Sequence, residues 1–103
     1  CAPELAEAVQ RQCAQSDFPA VLNGRFKGGY ITRHYGKPAD GVHAVQMELG
    51  CRGYMEEPLG PVSEDNWPTP YDPAYAAPIR TVLTAIMEEC LGFANAEKKK
   101  AAR

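Results

Sequence analysis

The sequence predicts a layered α/β unit with an incomplete sheet, and three features of the chain support this prediction. Apolar residues recur at spacings of three and four between residues 79 and 94, which is the pattern of an amphipathic helix. Residues 42–49 place mostly apolar side chains at every second position, which is typical of a strand with one buried face. Two short β-prone runs, 20–22 and 30–32, lie next to glycine-containing turn signals and are interpreted as further strands.

A helix is predicted near each end of the chain. The first is expected to begin at Pro3 and to continue until residues 16–17 interrupt its apolar spacing. The second is expected to begin after Asp72, an N-cap residue, with Pro73 at its first position. Pro78 is expected to break or kink this helix one turn later. Its apolar face is expected to pack on a face of the sheet.

The composition limits the classes of protein to which the chain can belong. Its 103 residues suffice for one domain at most, and an apolar fraction of 45% with a charged fraction of 23% is typical of a globular domain with a core. A formal net charge of -2 argues against a nucleic-acid-binding surface. No apolar run approaches the roughly 20 residues of a membrane span, and no signal peptide is recognisable, so a cytoplasmic location is expected.

The chain is interpreted as part of a longer protein. It begins with Cys1 instead of Met and continues almost directly into the first helix, so residues 1–103 are expected to form a single partial domain. The basic segment 97–103 is expected to be a disordered tail. No Cys-x-x-Cys pair is present, and the cysteines are expected to be free and mostly buried thiols. They are Cys1, Cys13, Cys51 and Cys90.

Glu48 is a candidate for acid–base chemistry. It lies near the carboxyl end of the predicted strand 42–49, and ligands of open α/β sheets commonly bind at that end. A carboxylate flanked by Met47 and Leu49 is expected to be partly desolvated, which suits proton transfer in hydrolysis. A role as a metal ligand and a purely structural role are the open alternatives.

Arg33 and His34 lie between glycines that allow the backbone to come close to a ligand. Arg33 can hold a substrate carboxylate through two charge-assisted hydrogen bonds, and a surface arginine is the alternative interpretation. His34 or His43 can ligate a metal, although two histidines nine residues apart match no local zinc pattern.

Two neighbouring blocks of sequence form a pattern that is more specific than any single motif. The first is NGRFKGGYITRHYG at residues 23–36, and the second is GVHAVQMEL at residues 41–49. Together they resemble the N-formylglutamate amidohydrolase family. Tyr54-Met55 and Tyr71-Asp72-Pro73 continue the pattern, so the resemblance extends over roughly residues 17–95.

The resemblance implies a zinc-exopeptidase-like (phosphorylase/hydrolase-like) fold, which would make this chain part of a three-layer α/β sandwich with a mixed sheet and helices on both faces. It also implies hydrolysis of N-formyl-L-glutamate to formate and L-glutamate in a route of histidine degradation. By the same resemblance, Glu48 corresponds to the catalytic glutamate, and Arg33 is the candidate that binds a substrate carboxylate. The other implied pocket residues are Asn23, Gly29, Tyr30 and His34.

Zinc is the cofactor that the resemblance implies for the full-length protein. Members of the family supply their zinc ligands from segments upstream of the matched region, so no metal ligand is expected in this chain. The expected partner is the missing amino-terminal half of the same domain, and the chain alone is expected to be inactive. Three alternatives stay open: the same chemistry on another N-acyl amino acid, a fragment that does not fold alone, and a non-catalytic module that binds small carboxylates. The basic residues of such a module would be Arg25, Lys27, Arg33 and Lys37.

Overall fold

The computed structural model describes residues 1–103 as three α-helices joined by long irregular segments. The helices are α1 (Pro3–Ala14), α2 (Tyr30–Tyr35) and α3 (Pro73–Ala101). Two short 3₁₀ helices, Pro38–Asp40 and Cys51–Gly53, lie between α2 and α3. The two helices predicted from the apolar spacing, α1 and α3, are confirmed, whereas α2 is a helix that the sequence did not indicate.

The core of the structure lies between α1 and α3. Leu5 and Val9 of α1 form a buried cluster with Ile86 of α3, because each helix presents its apolar residues on one face. The Gln12 amide donates a hydrogen bond of 2.7 Å to the Glu89 carboxylate and joins the two helices at the edge of this cluster. Five partly buried residues pack against the cluster, namely Cys13, Val82, Leu83, Cys90 and Phe93.

The start of α3 has the predicted N-cap. The Asp72 carboxylate accepts hydrogen bonds from the backbone N–H groups of Ala74 at 2.9 Å and Tyr75 at 3.4 Å. Pro73 occupies the first helical position, where a missing N–H costs nothing. The expected break at Pro78 is not observed, and α3 continues through it as one element. Near the start of a helix a proline removes a single backbone hydrogen bond, which the remaining turns offset.

Replacing Asp72 by Ala is expected to lower the free energy of unfolding by about 1 kcal/mol, because two N–H groups of the first turn lose their acceptor. The measurement is denaturant-induced unfolding of a protein of full family length that contains this sequence. Asp72→Asn is the matched control, since its amide oxygen still accepts both hydrogen bonds. Equal stabilities of the Ala and Asn variants would contradict the capping role.

The predicted sheet is absent, so the predicted α/β fold is wrong. The structure has no partial three-layer sandwich and no mixed sheet of a zinc-exopeptidase-like fold, and its only β-type pairing is an isolated antiparallel bridge between Lys37 and Val42. Residues 30–32 begin α2 instead of a strand, and residues 20–22 and 43–49 form no regular secondary structure. A strand needs a neighbouring segment to pair its backbone groups, and no second segment of this chain runs beside residues 43–49 in that way.

The chain buries little of its apolar surface. Only 7 of its 103 residues are buried, and the Cα radius of gyration is 16.8 Å, whereas a compact domain of about 100 residues has a radius near 13 Å. The expected core is therefore reduced to the cluster between α1 and α3 and to a smaller buried region where Ile79 of α3 lies against Gly53. The apolar face of α3 was expected to lie on a sheet, yet Met87 and Leu91 of this face are 67% and 65% exposed.

The basic end of the chain continues α3 as far as Ala101, where a disordered tail was expected. Within it, the Lys100 amine donates a hydrogen bond of 2.6 Å to the Glu97 carboxylate, and this bond raises the pKa of Lys100 above its ordinary value. None of the helices combines the length and the apolar character that a membrane-spanning segment requires. All four cysteines are free, as predicted, but the expected burial is not observed, since Cys1 is exposed and the other three are half-buried.

Candidate functional site

The glycine-rich segment before α2 is shaped by residues with positive φ. Asn23 has a φ of 49°, and Gly28 has a φ of 88°, a conformation that glycine adopts without the steric cost of a side chain. A Cβ atom at Gly28 would also lie 3.2 Å from the side chain of Thr32. The turn therefore leads directly into α2, with Gly29 as the N-cap residue.

Gln46 links Glu48 to the start of α2 through three hydrogen bonds. The Gln46 Oε1 atom accepts from the backbone N–H of Gly29 at 2.7 Å and from the Thr32 hydroxyl at 3.1 Å. The Gln46 Nε2 atom donates to Glu48 Oε1 at 2.7 Å. A continuous chain of hydrogen bonds therefore runs from the glycine-rich turn to the candidate catalytic carboxylate.

Arg33 lies in the last turn of α2, and its side chain is anchored to the glycine-rich turn before this helix. Its Nη1 atom donates a hydrogen bond of 2.8 Å to the carbonyl oxygen of Gly28. A guanidinium carries five N–H donors, so this bond leaves the others available to a ligand. The side chain is exposed and forms neither of the two ion pairs of the structure.

Tyr30 and His34 form an aromatic stack one turn apart on α2. Their ring centroids are 4.9 Å apart with an interplanar angle of 14°, and the Tyr35 ring meets His34 edge-on at 4.8 Å. The spacing of four residues brings the first two rings onto one side of the helix. The imidazole thus lies against two tyrosine rings.

His43, the other histidine, ties the segment before Glu48 to both long helices. Its Nδ1 atom accepts a hydrogen bond of 3.0 Å from the backbone N–H of Ala2, just before α1. Its ring meets Phe93 of α3 edge-on, with centroids 4.9 Å apart. Because Nδ1 accepts this bond, the neutral ring carries its proton on Nε2, and neither nitrogen offers a free lone pair to a metal in this arrangement.

Comparison with known families shows the family to which these residues belong. The family model described as N-formylglutamate amidohydrolase matches residues 1–55, a stretch that contains α1, the glycine-rich turn, α2 and Glu48. The chain belongs to the N-formylglutamate amidohydrolase family. This membership confirms the resemblance on which the sequence prediction rested.

Two curated relatives extend the match beyond residue 55. The chain is 45% identical to the N-formylglutamate deformylase of Pseudomonas putida over 94 residues, which cover 90% of this chain and 32% of that protein. It is 42% identical to the N-formylglutamate deformylase of Pseudomonas aeruginosa over the same share of each. The chain therefore spans about a third of the length of the curated relatives it matches. No solved structure matches it.

In this member of the amidohydrolase family, the structure brings some of the candidate residues together and leaves others apart. Gly29 and Glu48 are each hydrogen-bonded to the Gln46 side chain. Arg33 is held by the carbonyl group of Gly28, the residue before Gly29. Asn23 lies at the start of the glycine-rich turn and is exposed. The catalytic and binding roles of these residues stay predictions.

One expectation about Glu48 is not met in the structure of this family member. Partial desolvation by its neighbours was expected, yet Glu48 is exposed, and Met47 and Leu49 are each 37% exposed. The apolar neighbours provide little shielding because residues 45–49 are all exposed.

Gln46 is the functional candidate that the sequence prediction missed. A strand over residues 42–49 puts Gln46 and Glu48 on the same polar face, and a neutral amide on such a face does not by itself indicate a function. The available signal was its spacing of two residues from Glu48, which allows two side chains of one segment to reach each other.

The residues of the chain do not form a metal centre of their own. No group of three or more His, Cys, Asp or Glu side chains is arranged so that it could hold a metal ion. His34 and His43 have separate surroundings, the first among tyrosine rings and the second at Phe93 and Ala2.

Proposed function

We propose that the chain is the carboxyl-terminal part of a deformylase that hydrolyses N-formyl-L-glutamate to formate and L-glutamate, as a step of histidine degradation in the cytoplasm. The observation that carries this proposal is the 45% identity to a protein named N-formylglutamate deformylase. Because the alignment covers 90% of the chain, it includes the central residues 23–49, which hold every candidate site residue.

Glu48 is the proposed proton-transfer group. A carboxylate can take a proton from the water that attacks the formyl carbon and can then deliver it to the amine that leaves. Gln46 holds Glu48 Oε1, so Oε2 is available for this transfer. The carboxylate lies at the surface of the chain, beside the glycine-rich turn, where a small substrate can reach it.

Arg33 is the proposed binding group for a substrate carboxylate. The hydrogen bond to the Gly28 carbonyl fixes one end of the guanidinium, which lowers the entropic cost of ordering the side chain when a ligand binds. The planar group can then present two parallel N–H donors to a carboxylate. The other residues proposed to contact the substrate are Gly29, Tyr30, His34 and Asn23.

Zinc is proposed as the cofactor of the full-length protein only. The chain lacks a set of three suitable ligands, so the metal would be bound by the part of the domain that this chain does not contain. The isolated chain is therefore expected to be inactive, because two thirds of the length of its relatives is missing.

Formate release from N-formyl-L-glutamate is the assay that tests this proposal. A protein of full family length that contains this sequence is expected to release formate, and residues 1–103 alone are expected to release none. N-acetyl-L-glutamate is the comparison substrate, and its faster hydrolysis would assign the enzyme to another N-acyl amino acid. Binding of glutamate without turnover by the full-length protein would instead support a non-catalytic carboxylate-binding module.

A further inference from the structure

Gln46 occupies a central position between the two parts of the candidate site. Its side chain contacts the first turn of α2 on one side and the Glu48 carboxylate on the other. We propose that Gln46 is the positioning residue that fixes Glu48 relative to α2. This inference rests on the deformylase function proposed above.

The hydrogen-bond partners fix the orientation of the Gln46 amide. The backbone N–H of Gly29 can only donate, so the amide atom 2.7 Å from it must be the oxygen. The amide nitrogen therefore faces Glu48, and an ionised carboxylate can only accept. A single side chain thus satisfies a donor on one side and an acceptor on the other, which a carboxylate at position 46 cannot do.

Gln46 also supplies the cap that α2 lacks locally. The N-cap residue Gly29 has no side chain, and a six-residue helix has too few internal hydrogen bonds to be stable alone. Gln46 accepts from the N-cap N–H of Gly29 and from the hydroxyl of Thr32, and its bond to Gly29 is the one that a glutamine in the first turn makes in a capping box. The residue that caps α2 is therefore also the residue that holds Glu48, and α2 carries Arg33.

Two roles for Gln46 make different predictions. In a purely structural role only its acceptor bonds to α2 matter, whereas a positioning role also requires the donated bond to Glu48. At a pH where both carboxylates are ionised, Gln46→Glu separates the two, because the new carboxylate still accepts from Gly29 and Thr32 but cannot donate to Glu48 and repels it. Gln46→Met has a similar length and removes all three bonds.

The test uses a protein of full family length with N-formyl-L-glutamate as the substrate. Gln46→Glu is expected to lower kcat about tenfold or more while KM changes less than about threefold, because a small displacement of a proton-transfer group slows the reaction more than it weakens binding. Exchange of the Gly29 amide proton, followed by NMR, is expected to stay slow in this variant and to become fast in Gln46→Met. Glu88→Gln on the exposed face of α3 is the control and is expected to retain wild-type kcat.

If Gln46→Glu has the wild-type kcat while the Gly29 amide is still protected, the positioning role is overturned. Gln46 would then serve only as the cap of α2. A second readout does not depend on activity. The side-chain NH₂ resonances of Gln46 are expected to shift in Glu48→Ala while the Gly29 amide stays protected, and unchanged resonances would also overturn the inference. If the wild-type protein releases no formate, the proposed function fails, and this NMR measurement still decides whether Gln46 holds Glu48.

Discussion

Glu48→Gln in a protein of full family length is expected to lower kcat for N-formyl-L-glutamate by about 10²- to 10⁴-fold, which is the usual contribution of a positioned general base. The amide at position 48 cannot take up the proton of the attacking water. Its oxygen can still accept the hydrogen bond from Gln46, so the local geometry is retained. Steady-state rates of formate release give the measurement.

The metal content has to be measured in the same samples, since the variant is expected to keep the zinc proposed for the full-length protein. Glu64→Gln is a matched control, because Glu64 is an exposed glutamate of the irregular segment before α3. This control is expected to have wild-type kinetics. Turnover by Glu48→Gln at the wild-type rate would remove Glu48 from the mechanism.

Arg33→Ala is expected to raise KM for N-formyl-L-glutamate roughly 10- to 100-fold, because a charge-assisted hydrogen bond to a carboxylate contributes about 1.5–3 kcal/mol. A change in kcat is expected to be smaller, since the guanidinium binds a part of the substrate that does not react. Arg33→Lys keeps the charge but loses the paired donors, so its KM is expected to lie between those of the wild type and the Ala variant.

N-formyl-L-glutamine identifies which carboxylate Arg33 binds. This analogue lacks the side-chain carboxylate of the substrate but retains the main-chain one. If Arg33 binds the side-chain carboxylate, Arg33→Ala raises the KM for N-formyl-L-glutamate much more than the KM for the glutamine analogue. An equal rise in KM for the two compounds assigns Arg33 to the main-chain carboxylate. An unchanged KM for both compounds would exclude Arg33 from substrate binding.

The helices α1 and α3 were predictable because their determinants are local. The spacing of Leu5, Ala8 and Val9 defines one face of α1, and Asp72 with Pro73 marks the start of α3. Each signal depends on residues within a few positions of one another. The tertiary contact between α1 and α3 also follows from these two apolar faces, although the sequence prediction assigned the face of α3 to a sheet.

The absence of the expected strands was not predictable in the same way, because strand formation depends on partners that are distant in the sequence. Tyr30, Ile31 and Thr32 are β-prone, yet β-propensity depends on the surroundings and here yields to a helix that Gln46 caps from 14 residues away. Residues 42–49 alternate as a strand does, but beyond the bridge of Val42 to Lys37 the chain supplies no neighbour with which residues 43–49 could pair. Alternation alone indicates that side chains face two sides, not that a sheet is present.

The candidate site was predictable in its residues and not in its connections. The family resemblance pointed to Glu48, Arg33 and the glycine-rich turn, and the structure places the turn and both side chains in one hydrogen-bonded group. The hydrogen bonds of Gln46 depend on how the turn folds back onto the later segment. No spacing rule in the sequence contains that information.

The bond between Ala2 and His43, together with the contact of His43 with Phe93, limits how far Glu48 can move. Glu48 follows His43 by five residues, and five residues of fully extended chain span at most about 18 Å. His43 therefore acts as a tether point on the helix pair, and Glu48 stays within that radius of it even when the bond to Gln46 opens. Inserting glycines between His43 and Gln46 would lengthen the connecting segment. The Glu48 carboxylate would then sample a larger volume, although no residue of the candidate site is altered.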